Sequence, residues 1–153
     1  MRKLLAGLLI LMCVLAGCDQ GTPIDPAEYV NLEIDLTGIE NEFYTAAIEY
    51  YLNGELMGGL ETGNADGTPY TDDTAVFRLD EKCFPEGTDL KNFSFMVMLF
   101  DTPGDGRDIS SVAYHIDSAD TNICDPFDAA YGGVYRFRAE GNKTEGYTLK
   151  PAG

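Results

Sequence analysis

The sequence contains no tryptophan and a single histidine, His115. Sugar-binding β-proteins rely on tryptophan for stacking, so its absence argues against that class. One histidine without a serine or cysteine motif provides neither a nucleophile–base pair nor a zinc ligand set. The chain also lacks a nucleophile elbow, a phosphate-binding glycine loop and a His-Glu metal helix. These absences predict a protein that is not an enzyme and needs no cofactor.

Basic residues are scarce, because 10 lysines and arginines face 26 aspartates and glutamates, for a formal net charge of −16. A surface of this sign repels phosphate groups. Nucleic acid is therefore excluded as a partner, and anionic lipid headgroups are disfavoured. The simplest role of the charge is to keep an exposed domain soluble, although cation binding or attraction to a basic partner stays open.

Long hydrophobic runs are also absent, apart from residues 4–17, which follow Arg2 and Lys3. A helix needs about 20 apolar residues to cross a bilayer, so this run is too short. It ends in Leu15-Ala16-Gly17-Cys18. A basic start, a short apolar core and small residues before a cysteine are typical of an export signal with a lipid attachment site. A soluble secreted protein, cleaved after the small residues, is the alternative.

This segment resembles the signal peptide of bacterial lipoproteins, with Leu15-Ala16-Gly17-Cys18 as the lipobox. The resemblance implies that residues 1–17 are removed and that Cys18 becomes a lipidated N-terminus, followed by a tether over residues 18–28. Two or more acyl chains give durable anchoring to a membrane. The implied location is extracytoplasmic, on the bacterial cell envelope. Asp19 leaves the choice between inner and outer membrane open, because its meaning differs between lineages.

Two cysteines, Cys83 and Cys124, remain after this processing, since Cys13 lies in the removed segment and Cys18 carries lipid. In an oxidising compartment we expect them to form one disulfide. A metal site is the alternative, but with only His115 to help, the ligand set for zinc is too small.

Residues 29–153 are expected to form a single all-β domain. Val30, Leu32, Ile34 and Leu36 alternate with polar residues, as in a strand with one buried face. Asn53-Gly54 separates two β-rich runs, which is a strong signal for a hairpin. The run 93–100 is apolar on both faces and predicts the central strand, while 134–139 and 147–149 predict a closing hairpin. About eight strands without a helix favour an antiparallel β-sandwich, immunoglobulin-like or transthyretin-like.

Acidic turns are the only candidate metal sites. Residues 62–73 resemble an EF-hand loop, but Thr62 replaces the first aspartate and no helix flanks the loop. Asp101, Asp105 and Asp108 cluster in a turn between strands and are weak candidates for a calcium site. Ordinary turn chemistry explains the same residues, because Asp, Pro and Gly are preferred in turns.

Three functions fit these observations. The first is a non-catalytic binding module, anchored to the membrane, that recognises another extracytoplasmic protein or an envelope component through loops or a sheet edge. The second is a structural or assembly subunit of an envelope complex that joins its neighbours by strand addition. A small hydrolase that uses acidic loop residues is the third.

Overall fold

The computed structural model describes residues 24–64, 66–103, 112–116 and 124–153. Cys18 and the lipobox therefore lie outside the described residues, as do Asp105 and Asp108. Short 3₁₀ turns span Pro26–Glu28 and Glu81–Cys83. The strands are β1 (Val30–Ile39), β2 (Thr45–Leu52), β3 (Glu55–Gly63), β4 (Thr74–Leu79), β5 (Phe93–Phe100), β6 (Val112–Ile116), β7 (Val134–Asn142) and β8 (Gly146–Pro151).

The sequence pattern of β1 matches its burial. Val30, Leu32, Ile34 and Leu36 are all buried, and Thr37 at the end of the alternation is exposed. Successive side chains of a strand point to opposite faces, so this alternation gives one face to the core. The predicted first strand is confirmed.

The predicted hairpin is also confirmed, because β2 and β3 pair antiparallel on either side of Asn53-Gly54. Asn53 has φ of 51° and Gly54 has φ of 80°. A two-residue turn with positive φ at both positions matches the right-handed twist of the flanking strands. Asparagine and glycine are the residues that adopt this conformation at least cost.

The strands form two four-stranded sheets. Sheet 1 has the order β4-β1-β7-β8, and sheet 2 has the order β3-β2-β5-β6. The apolar strand β5 lies between β2 and β6, which confirms its predicted central position. The closing hairpin is confirmed as the antiparallel pair of β7 and β8.

The expectation of a wholly antiparallel arrangement is wrong for one pair, since β1 and β7 run parallel. Asn31 lies opposite Val134, and Asp35 lies opposite Arg138. A parallel pair needs a long crossover connection. The chain provides it, because all of sheet 2 lies between these two strands in sequence.

One hydrophobic core is shared by both sheets. Phe95 of sheet 2 and Phe137 of sheet 1 meet edge to face, with ring centroids 4.8 Å apart and planes at 86°. This is the geometry that aromatic pairs prefer, since the ring edge is positive and the face negative. The all-β, two-sheet architecture predicted from the sequence is thus present.

The strand directions give the domain two distinct ends. The described chain begins at Ile24 at the proximal end, which also carries the 53–54 turn, residues 80–92 and residues 124–133. The distal end, where β1, β3, β5 and β7 finish, carries residues 40–44, 64–73, 101–103 and 143–145.

Candidate functional site

The loops of the distal end form one connected surface. The Tyr70 N–H donates to the carbonyl of Phe43 at 2.8 Å, and the two rings stack at 5.4 Å. Residues 64–73 also lie beside 101–103, since a Cβ added to Gly67 would be 3.9 Å from Cβ of Pro103. Three of the four distal segments are therefore in direct contact with a neighbour.

Asn41 joins the fourth segment to the first. Its side-chain oxygen accepts from the Lys143 N–H at 3.0 Å and from the Tyr147 hydroxyl at 2.7 Å. The Asn142 amide donates to Glu40 at 2.9 Å across the same gap. Sequence reasoning missed Asn41, because its partners lie more than a hundred residues away and no local pattern marks it.

The long loop 64–73 is organised by its own polar side chains. The Asn64 amide donates to the carbonyl of Pro69 at 2.7 Å. Asp66 accepts from both the hydroxyl and the N–H of Thr68, and these bonds lower the pKa of the Asp66 carboxyl. Such bonds from Asp and Asn side chains to nearby backbone are characteristic of turns. Side-chain hydrogen bonds thus hold the loop in an ordered turn, and Thr71, Asp72 and Asp73 are exposed.

The charge of the distal end is strongly negative. Lys143 is the basic residue of its described segments. The carboxylates there are all exposed: Glu40, Glu42, Asp66, Asp72, Asp73, Asp101 and Glu145. This surface attracts cationic groups and repels anions, an effect that salt screens over about 8–10 Å.

Asp101, one of the weak calcium candidates, pairs with a cation of the protein itself. Its Oδ2 lies 3.8 Å from Nζ of Lys143. The other two candidates, Asp105 and Asp108, are not among the described residues. Within the described part of the chain, no three His, Cys, Asp or Glu side chains lie close enough to hold a metal ion.

The predicted disulfide between Cys83 and Cys124 is not present, since both are free thiols in the structure. Each has its own partner. Sγ of Cys83, in the 3₁₀ turn after β4, lies 3.6 Å from Asp80 Oδ1. Sγ of Cys124 accepts from the Phe95 N–H of β5 at 3.3 Å. Neither cysteine lies in a strand, and each sulfur has a separate partner, so the expectation from compartment and number is not met in the structure.

Burial makes both thiols poor nucleophiles. It raises the pKa of Cys124 to about 11, with a smaller opposing effect from the Phe95 N–H. Burial also raises the pKa of Cys83, which is less enclosed. Because the thiolate is the reactive form, neither site has the electropositive surroundings of a catalytic cysteine.

Two cavities open at the proximal end. The first, of about 470 Å³, is lined by Ala27, Glu28, Tyr29, residues 80–82 and Tyr131. The second, of about 480 Å³, is a more apolar groove between residues 124–128 and the β7–β8 hairpin. Because the structure contains concave sites, the hydrolase alternative is not excluded on the ground that a pocket is missing. The residues lining them include no histidine or serine.

Among the described residues, no helix is long and apolar enough to span a membrane. Comparison of the chain with protein-family models, with curated proteins and with solved structures found no significant match.

Proposed function

We propose that this protein is a bacterial lipoprotein, anchored through Cys18 to an extracytoplasmic membrane surface, whose domain is a non-catalytic binding module. The observation that carries the proposal is the segment Arg2 to Cys18, with its basic start, short apolar core and Leu15-Ala16-Gly17-Cys18 ending. Removal of residues 1–17 leaves eight basic residues against 26 acidic ones, a charge of −18. That charge favours a basic or neutral partner over nucleic acid.

Labelling with a radioactive fatty acid in cells tests the anchor. Wild-type protein should incorporate the label and fractionate with membranes, and Cys18→Ser should lose both properties. Cys13→Ser is the matched control, because it changes a cysteine inside the segment expected to be removed and should leave labelling intact. Wild-type protein without lipid on Cys18 would refute the anchor.

The direction of the chain supports the distal end as the binding surface. If Cys18 is held by the membrane, the domain begins near that membrane at Ile24, and the distal loops point away from it. Binding residues are often carried on loops that a rigid scaffold positions. The linked segments 40–44, 64–73, 101–103 and 143–145 fit that description, and the partner we propose is another extracytoplasmic protein or an envelope component.

Photo-crosslinking in cells tests the distal surface. A photoreactive amino acid is placed at Thr71 or Thr102, both exposed in distal loops, or at Arg78, exposed on β4 away from them. Discrete adducts should form from the two distal positions and not from Arg78. Equal adducts from all three positions, or none, would argue against the assignment.

The size of the particle in solution distinguishes a binding module from an assembly subunit. Sedimentation of the purified protein over a range of concentrations should show a monomer if the domain is a binding module. Growth of the particle with concentration would instead favour assembly through a sheet edge, since unpaired edge strands are ready templates for strand addition.

Strand order favours a transthyretin-like sandwich over an immunoglobulin-like one. In immunoglobulin constant domains the first strand lies beside the second. Here β1 lies between β4 and β7, with β7 parallel to it. This order differs from the immunoglobulin one, so of the two sandwich types expected from the sequence we propose the transthyretin-like one.

A further inference from the structure

The more apolar of the two proximal cavities is a groove that opens between the sheets where β8 ends. β8 pairs with β7 as far as Pro151, which lies opposite Phe137, whereas β7 begins at Val134. On the other side of the groove, residues 124–128 lie along the start of β5, because the backbone of Phe127 exchanges two hydrogen bonds of 2.9 Å with that strand. The volume of the groove is about 480 Å³, a size typical of sites for small molecules.

Apolar side chains make up most of the groove lining. Cys124, Phe137 and Leu149 belong to the lining and are buried. Phe127 and Tyr135 line the same groove and are half-buried, with ring centroids 4.8 Å apart. The two rings therefore keep part of their surface open to solvent, and a ligand with an apolar body would gain free energy by covering it.

The charged residues of the groove favour a cation. Its lining includes Asp125, Asp128 and Arg136, which are all exposed. Arg136 already has a partner, because its Nε lies 2.8 Å from Oε2 of Glu33 on β1. Neither aspartate forms an ion pair among the described residues, and Asp128 accepts only a long hydrogen bond, of 3.4 Å, from the Asn92 N–H. The groove thus combines two carboxylates that no cation neutralises with aromatic rings, and both attract a positive charge.

We propose that this groove binds a small organic amine, whose apolar body lies against Phe127 and Tyr135 and whose ammonium group pairs with Asp125 and Asp128. Apolar lining alone would accept any hydrophobic compound of this size, and the two carboxylates select the one that carries a positive charge. They repel an anion of the same shape. The groove lies at the opposite end of the domain from the distal surface, so this site is separate from the partner binding proposed there. It also does not depend on the proposed anchor at Cys18.

Fluorescence titration of the purified full-length protein tests the selection for an amine. The probe is dansylcadaverine, which joins a fluorescent aromatic ring system to a primary amine, and the neutral comparison is dansylamide. Dansylcadaverine should bind one-to-one, with a shift of its emission to shorter wavelength as the ring system leaves water. It should bind about fivefold more tightly than dansylamide, which is the size of effect expected from a solvent-exposed ion pair.

Charge reversal locates the binding site. The double variant Asp125→Lys/Asp128→Lys should lose the preference for dansylcadaverine over dansylamide. The matched control is Asp72→Lys/Asp73→Lys, which changes the net charge by the same amount at the distal end and should keep the preference. All four side chains are exposed, so both variants should fold, and their melting temperatures check this.

Every other outcome overturns the proposal. Equal loss of the preference in both double variants would show general attraction of cations to an acidic protein. Equal affinity of the wild-type protein for dansylcadaverine and dansylamide would show an apolar site that does not select a charge. If neither probe binds but a lysine-containing peptide does, the occupant is a segment of another protein and not a small amine. If none of the three binds, the groove is not a site for an amine.

Discussion

Contact between Phe95 and Phe137 joins the two sheets, and a double-mutant cycle measures it. Phe95→Leu and Phe137→Leu should each lower the free energy of unfolding by about 1–2 kcal/mol, because both side chains are buried and leucine nearly fills the space. Each single change also removes the edge-to-face contact at 4.8 Å. Such contacts contribute about 0.5–1.5 kcal/mol beyond buried area. The double variant should therefore cost less than the sum of the two single changes by that amount.

A second double-mutant cycle, with Phe43→Leu and Phe95→Leu, is the control for two distant residues. Phe43 lies beside the distal end of β5, since the Tyr44 N–H donates to the carbonyl of Phe100. From Phe95 to Phe100 the strand rises roughly 17 Å at about 3.4 Å per residue. Changes at that distance should add to within about 0.3–0.5 kcal/mol.

Urea unfolding followed by circular dichroism gives the free energies of unfolding. The dependence of each free energy on urea concentration should be the same for all variants. Additive costs at Phe95 and Phe137, within the same margin as the control pair, would refute the packing of the two sheets through these rings.

Two further predictions concern titrating groups. At pH 8 a soluble alkylating reagent should modify Cys83 before Cys124, because burial raises the pKa of Cys124 to about 11. Cys124 is buried and should react only in denaturant. If both cysteines resist alkylation until a reductant is added, they form a disulfide. Hydrogen bonds from the hydroxyl and N–H of Thr37 hold the pKa of Asp35 in the folded protein below its usual 3.8. The ionised Asp35 carboxylate therefore stabilises the fold above pH 3.8, and this stabilisation is lost as the pH falls through the lower pKa of the folded state. Asp35→Asn should flatten the fall of the melting temperature below about pH 4, but only modestly, because the Asp35 side chain is 34% exposed and solvent screens its interactions. An unchanged pH profile would contradict the assignment.

Local patterns in the sequence determined the strands. Alternation from Val30 to Leu36 predicted β1, Asn53-Gly54 predicted the hairpin, and the doubly apolar run at 93–100 predicted the central strand. These succeeded because a strand's side chains alternate every residue and a tight turn needs specific residues, both of which are local properties.

Only the tertiary structure decided how distant segments meet. The parallel pairing of β1 with β7 and the link from Asn41 to Lys143 each join residues far apart in the chain. Cysteine number and compartment favoured a disulfide, yet both cysteines are free thiols in the structure, and each has a different hydrogen-bond partner. The sequence by itself determined element type, because strand alternation and turn residues depend on neighbours along the chain, and the proposed anchor at Cys18 rests on such a local pattern. The grouping of residues 40–44, 64–73, 101–103 and 143–145 at the distal end follows from strand direction and sheet order, which are set by packing of the common core.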